Sequence, residues 1–160
     1  MIRIIGIDPG SRITGFGVID CDDSREVYVD SGCIRVTGET LAERLKVIYS
    51  EVSELLALHQ PDQACAESVF MHQNPGTAIK LGQARGAAIS AIAMSDVSLA
   101  EYSPAEIKKT IVGRGNADKE QVQYMVKMLL NLSRPPANDA ADALACALCH
   151  HRYGQQTRLK

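Results

Sequence analysis

Three β-branched runs fall within the first 36 residues with only tight turn signals between them, and this spacing restricts the fold more than any other feature. Ile2–Asp8 is rich in Ile and ends in the turn signal Asp8-Pro9-Gly10-Ser11. Residues 13–19 alternate Gly or apolar with polar positions, and 26–36 form another β-branched run. Strands joined by such short connections pair as an antiparallel meander. Helical and strand patterns then alternate. Thr40-Leu41-Ala42-Glu43 is a capping box, followed by Leu41, Leu45, Ile48, Val52 and Leu55 at helical spacing up to His59, where Pro61 stops the helix. Residues 63–69 read as a short buried strand carrying the ionisable Glu67, 77–94 as a Gly- and Ala-rich helix, and 97–102 as a strand. Ser103-Pro104-Ala105-Glu106 opens a short helix ending near Gly113. Residues 117–132 resume helical periodicity, and a last helix starts near Asn138 and runs toward Tyr153, with 154–160 expected as a flexible tail. This order predicts an α/β fold with a mixed five-stranded sheet, antiparallel strands first and parallel strands after, flanked by helices.

At 160 residues the chain is expected to be one domain, 1–160, burying about two thirds of its unfolded surface. No apolar run reaches the ~18 residues of a membrane span, and the N-terminus has no secretory pattern, so a cytoplasmic protein without membrane contact is expected. Aromatic residues make up 4%, with no Trp, which argues against a broad base-stacking platform. The net charge of −2 does not announce nucleic-acid binding either, so charge placement has to be read locally. Five cysteines are an odd number, and reduced, buried thiols are expected. Cys146-Ala147-Leu148-Cys149-His150 matches a c-type haem attachment pattern, but it sits inside an expected helix and has no second ligand pair for zinc.

Four carboxylates resist a structural explanation. Asp8 closes the first strand, Glu67 lies on another strand after Ala64-Cys65-Ala66, and Asp139 and Asp142 lie three apart on one face of an Ala-rich helix. Taken singly, Asp8 could begin an Asx-turn and Asp139 could face the helix dipole. Together they are acids in apolar settings with no basic neighbour in sequence. If they converge, each unpaired contact near 4 Å costs roughly 4 kcal/mol at an effective dielectric of ~20. A divalent cation supplies the counter-charge, and an all-carboxylate set suits Mg²⁺ or Mn²⁺ rather than Zn²⁺. Two ions per subunit would neutralise four carboxylates, the stoichiometry of two-metal phosphodiester hydrolysis.

Further motifs stand in register with these acids. Gly6-Ile7-Asp8-Pro9-Gly10-Ser11-Arg12 with Thr14-Gly15, Ser31-Gly32-Cys33-Ile34-Arg35, Glu67-Ser68-Val69-Phe70-Met71, Leu81-Gly82-Gln83-Ala84-Arg85-Gly86, Val112-Gly113 through Lys119, and Asp139-Ala140-Ala141-Asp142-Ala143-Leu144 follow one another along nearly the whole chain. In these motifs the chain resembles the RuvC family of Holliday junction resolvases. The resemblance implies a ribonuclease H-like fold in a homodimer, with Asp8, Glu67, Asp139 and Asp142 as metal-binding catalytic residues. It implies a Mg²⁺-dependent endonuclease that resolves four-way DNA junctions by paired symmetric nicks, leaving 5′-phosphate and 3′-hydroxyl ends, in cooperation with a RuvA and RuvB branch-migration complex. Residues 72–76 depart from the family in lacking the basic residue that relatives commonly carry there.

Candidate DNA contacts follow. Phe70 stands where the family places an aromatic that stacks on junction bases, and a core Phe is its bland alternative. Lys108, Lys109, Arg114 and Lys119 cluster around the Gly-rich loop, while Lys80 and Arg85 lie on the small-residue helix. By the family match, Lys108 and Lys119 are nearest the scissile phosphate. Without the four acids the formal charge of −2 becomes +2, a mildly basic body able to touch phosphates. Rival readings are an RNA-processing nuclease of the same fold, a non-catalytic junction-binding protein, which would not need all four acids, and an actin-like or sugar-kinase ATP module, which would need two such domains.

Overall fold

The computed structural model describes residues 1–68 and 74–158. β1 (Ile2–Asp8), β2 (Ile13–Cys21) and β3 (Glu26–Arg35) form the expected antiparallel meander. β4 (Gln63–Glu67) runs parallel to β1, and β5 (Ser98–Tyr102) runs parallel to β4, giving the order β3-β2-β1-β4-β5. α1 (Leu41–His59) and α2 (Pro75–Met94) cover one face of this five-stranded sheet. α3 (Pro104–Val112), α4 (Lys119–Leu129) and α5 (Asn138–Arg158) cover the other. Two apolar cores result, with Ile5, Ile7 and Val18 facing α1 and α2, and Ile4 and Ile19 facing α5.

Local chemistry sets most boundaries. The Thr40 and Ser103 capping boxes form as expected. A third capping box, Asp118 with Gln121, starts α4 at Lys119, two residues later than its apolar periodicity alone suggests. The Asn74 side chain accepts from the Gly76 and Thr77 N–H groups, so α2 begins at Pro75. β2 extends to Cys21 because the chain reverses only at Asp22, whose carboxylate accepts from the Ser24 and Arg25 N–H groups. α5 continues through Gly154 to Arg158, so 154–158 are helical rather than a frayed tail.

α5 is the centre of the second core. From Ala143 to Cys149 every residue is buried, because the helix lies between the sheet and α3 and α4. Strand glycines let it approach so closely. A Cβ on Gly6 would stand 2.1 Å from the Ala143 carbonyl oxygen, and one on Gly15 would stand 2.0 Å from the Asp139 carbonyl oxygen. His150 then fixes the helix polarly: its Nδ1 lies 2.8 Å from the Tyr102 hydroxyl of β5, and its Nε2 lies 2.9 Å from Gln63 Oε1 of β4. A neutral ring protonated at Nε2 satisfies both bonds, and burial favours that neutral form.

Because the obstacle at Gly6 is backbone, Gly6→Ala forces a shift of α5 rather than a rotamer change. It should lower stability by ~1–3 kcal/mol in thermal or denaturant unfolding. An unchanged midpoint would show that the helix sits further from the strand.

Candidate metal and nucleic-acid site

Strand alternation decides where the first two acids point. Ile4 packs in the α5-side core, so Gly6 and Asp8 share that face by the period of two. Cys65 packs there as well, and Glu67 follows it two residues on. Asp8 and Glu67 therefore leave the carboxyl ends of the adjacent parallel strands β1 and β4 on the side that α5 covers. Asp139 arrives from the first turn of α5, which rests on Gly15, the register partner of Asp8. Asp142 lies one turn further on the same helix face.

The electrostatics show that the four acids sense one another. Burial pushes the Asp8 carboxyl up to about 8, reinforced by Glu67, Asp142 and Asp139 and opposed by Lys119. Glu67 is also raised, by burial and then by Asp142, while Lys108, Lys119 and a hydrogen bond from Asp8 act the other way. Asp142 is raised chiefly by burial, with Lys119 and Lys108 opposing. With its carboxyl near 8, Asp8 keeps its proton at neutral pH and donates it to Glu67: a proton occupies a place where a cation would be more effective. Among the described residues, no three His, Cys, Asp or Glu side chains already converge into a metal cage. The carboxylates are nonetheless close enough to shift one another. Its donor chemistry, carboxylate throughout, fits a hard divalent cation.

Supporting residues hold this cluster in place. The buried Thr14 hydroxyl bonds both the N–H and the carbonyl of Gly10, pinning the turn after Asp8. The Ala140 N–H points at the Cys33 sulfur and ties the start of α5 to β3. Gln123 of α4 donates to Asn138 Oδ1 and the Pro136 carbonyl, just ahead of Asp139.

The basic residues divide into distinct groups. Lys108 and Lys119 face the carboxylates closely enough to oppose their upward shifts. Lys109, the next residue on α3, instead lines a cavity of about 680 Å³ with the β2–β3 turn and the end of α5. Adjacent helical residues point ~100° apart, so the pair cannot share one target. Arg114 is exposed in the loop between α3 and α4. Arg85 is already engaged: it donates to the Glu67 carbonyl at 2.9 Å and pairs with Glu101 of β5. Its visible work is to brace the end of β4, which sequence spacing could not reveal. Lys80 lines a separate cleft with Arg12 and Arg44. Phe70 and the altered run 72–73 lie outside the described residues. Cys146 and Cys149 are buried core thiols, the first in a thiol–thiol hydrogen bond with Cys65 and the second donating to Thr110 and the Glu106 carbonyl.

The family model for the crossover junction endodeoxyribonuclease RuvC matches residues 4–150. The chain belongs to the RuvC family. A RuvC from Alkalilimnicola ehrlichii is 54% identical over 161 residues, covering 100% of this chain and 98% of that protein. One from Hahella chejuensis is 53% identical over 150 residues, covering 94% and 87%. Thermus thermophilus RuvC in complex with a Holliday junction substrate superposes with a TM-score of 0.92 at 31% identity, covering 98% of this chain and 97% of that one. The architecture is accordingly the ribonuclease H-like fold of RuvC enzymes, and no described helix is long and apolar enough to cross a membrane.

The raised Asp8 carboxyl has a consequence for stability. Its pKa is about 8 in the fold against an ordinary value of 3.8, so between those values the native chain holds a proton that the unfolded chain has released. Metal-free stability must then fall as pH rises through this window. Asp8→Asn should remove that slope and raise metal-free stability at pH 8 by about 0.5–2 kcal/mol, measured by thermal melts at pH 5 and pH 8. Parallel pH dependence in both proteins would place Asp8 outside the repulsive cluster.

Proposed function

We propose that this chain resolves four-way DNA junctions by metal-dependent phosphodiester hydrolysis at Asp8, Glu67, Asp139 and Asp142. The observation that carries the reading is that carboxylates from β1, β4 and α5 lie half-buried at one end of the sheet, near enough to raise one another, with Lys108 and Lys119 beside them. A structural core gains nothing from such a cluster, whereas a hydrolytic site that loads Mg²⁺ or Mn²⁺ requires it. Bound divalent ions, two per subunit, would supply water activation and stabilisation of the departing 3′ oxygen. The chain's own contribution is to fix the carboxylates on rigid elements, hold on Asp8 a proton that a cation would displace, and present Lys108 and Lys119 to the phosphate being cut.

Paired symmetric cutting calls for two copies of the site, and α2 offers a face for dimerisation. Ile79, Gly82, Gly86 and Ala93 share one helix stripe, Ile79 is 62% exposed, and a Cβ on Gly82 or Gly86 would meet nothing within 4 Å. Small residues there let a second backbone approach closely. In this reading Phe70 stacks on an unpaired junction base, and the single-domain nuclease acts with a RuvA and RuvB branch-migration complex in the cytoplasm.

The deciding experiment compares Mg²⁺-dependent cleavage of a four-way DNA junction, a linear duplex and a structured RNA. Selective junction cutting, lost by at least ~10³-fold in Asp8→Asn or Glu67→Gln while junction binding persists, is the expected outcome. Preferred cutting of the RNA would favour an RNA-processing nuclease, and cutting retained by the Asp8 variant would remove that residue from the site.

Gly82→Leu tests the dimer face. A Cβ there meets nothing within 4 Å and the substitution replaces a poor helix former, so it should slightly raise monomer stability. Sedimentation should nevertheless show a weaker dimer, and an equally tight dimer would locate the interface elsewhere.

A further inference from the structure

We propose that the cleft between α1, α2 and the β1–β2 loop binds a phosphodiester of the DNA backbone through Arg12, Arg44 and Lys80, apart from the carboxylate cluster. The inference rests on the nuclease reading above and adds a second contact region to it. The cleft measures about 440 Å³ and is lined by those three cations with Ser11 and Gln83, over an apolar floor that includes Ile48. No Asp or Glu is among its lining residues.

The cations are held without being neutralised. Arg44 donates to the Ser11 carbonyl at 2.7 Å, which orients its guanidinium at the mouth of the β1–β2 loop and leaves further N–H donors. Arg3, Arg25, Arg85 and Arg152 each form an ion pair with a carboxylate, whereas Arg12, Arg44 and Lys80 form none among the described residues. Glu43, beside Arg44 in sequence, has its carboxylate engaged by the Glu39 and Thr40 N–H groups. Two guanidinium groups and an ammonium around one concavity, next to the hydrogen-bond acceptor and donor of Gln83, match a phosphate oxygen set.

Position ties the cleft to the reaction. Arg12 is four residues after Asp8, in the loop that Thr14 pins, so the loop separates the carboxylates on the α5 side from the cations on the α1–α2 side. A backbone phosphate seated here would anchor the junction at the rim of the cleavage site without touching the metal ligands. Phosphate contacts of this kind set register and orientation and carry no base preference.

The test measures junction binding in metal-free buffer across a range of salt concentrations, for the full chain and for the double variant Arg12→Gln/Lys80→Gln. Both side chains are exposed, and a matching melting temperature confirms an intact fold. Loss of two phosphate contacts should weaken junction affinity roughly tenfold at low salt and make the slope of log K against log salt shallower by about 1–2. The control Lys46→Gln, on an exposed part of α1 outside the cleft, should leave the slope unchanged. An unchanged slope in the double variant, or an equal change in the control, would overturn the cleft assignment. Failure of the nuclease reading is distinguishable, because the unaltered chain would then neither bind nor cut the junction selectively.

Discussion

The contact between α5 and the glycine-bearing strands β1 and β2 is the constraint on which the rest of the molecule depends. At Gly15 the strand backbone stands so near the Asp139 carbonyl that even a methyl group is excluded, and Gly6 repeats the condition at Ala143. This approach delivers Asp139 and Asp142 to Asp8 at the carboxyl end of β1, where β4 also ends in Glu67. The alanines and cysteines of α5 are short for the same reason. Leu144 and Leu148 fill the second core, and His150 bonds to β4 and β5 so that the helix has one rotation and one register.

What this packing creates is unfavourable by itself. Four acids gathered in a half-buried setting lose hydration and repel, and burial first, then the neighbouring acids, raises the carboxyls of Asp8, Glu67 and Asp142. The fold tolerates it because the surrounding elements are over-determined: Thr14 pins the turn after Asp8, Arg85 braces the end of β4, and Gln123 anchors the entry to α5. A cation bound among these acids would relieve that cost, converting stability withheld from the metal-free fold into metal affinity.

Much of this was legible in the residues. The meander followed from the closeness of its strands, and the Thr40 and Ser103 boxes marked helix starts through chemistry that acts over three residues. The four acids stood out because their apolar surroundings offered no partner. Other features depended on rotations that spacing cannot supply. Lys108 and Lys119 both face the carboxylates, yet Lys109 faces the opposite end of the sheet because it is one helical step round. Arg85 looked like a free cation until the fold placed it against the Glu67 carbonyl and Glu101. Arg12 and Arg44 line one cleft only because α1 packs against the β1–β2 loop, where Arg44 reaches the Ser11 carbonyl more than thirty positions away.

If α5 packing sets a protonated Asp8 among carboxylates that await a cation, proton release on metal binding tests it most directly. Calorimetric titration of Mn²⁺ into the DNA-free protein at pH 7, in buffers of different ionisation enthalpy, reports the protons displaced. With Asp8 held at about 8 in the metal-free fold, binding should release about one proton at pH 7 and markedly less at pH 9. Mn²⁺ binding with no proton release at pH 7 would contradict the account, since Asp8 would then be ionised already and the cluster would not be the repulsive unit described.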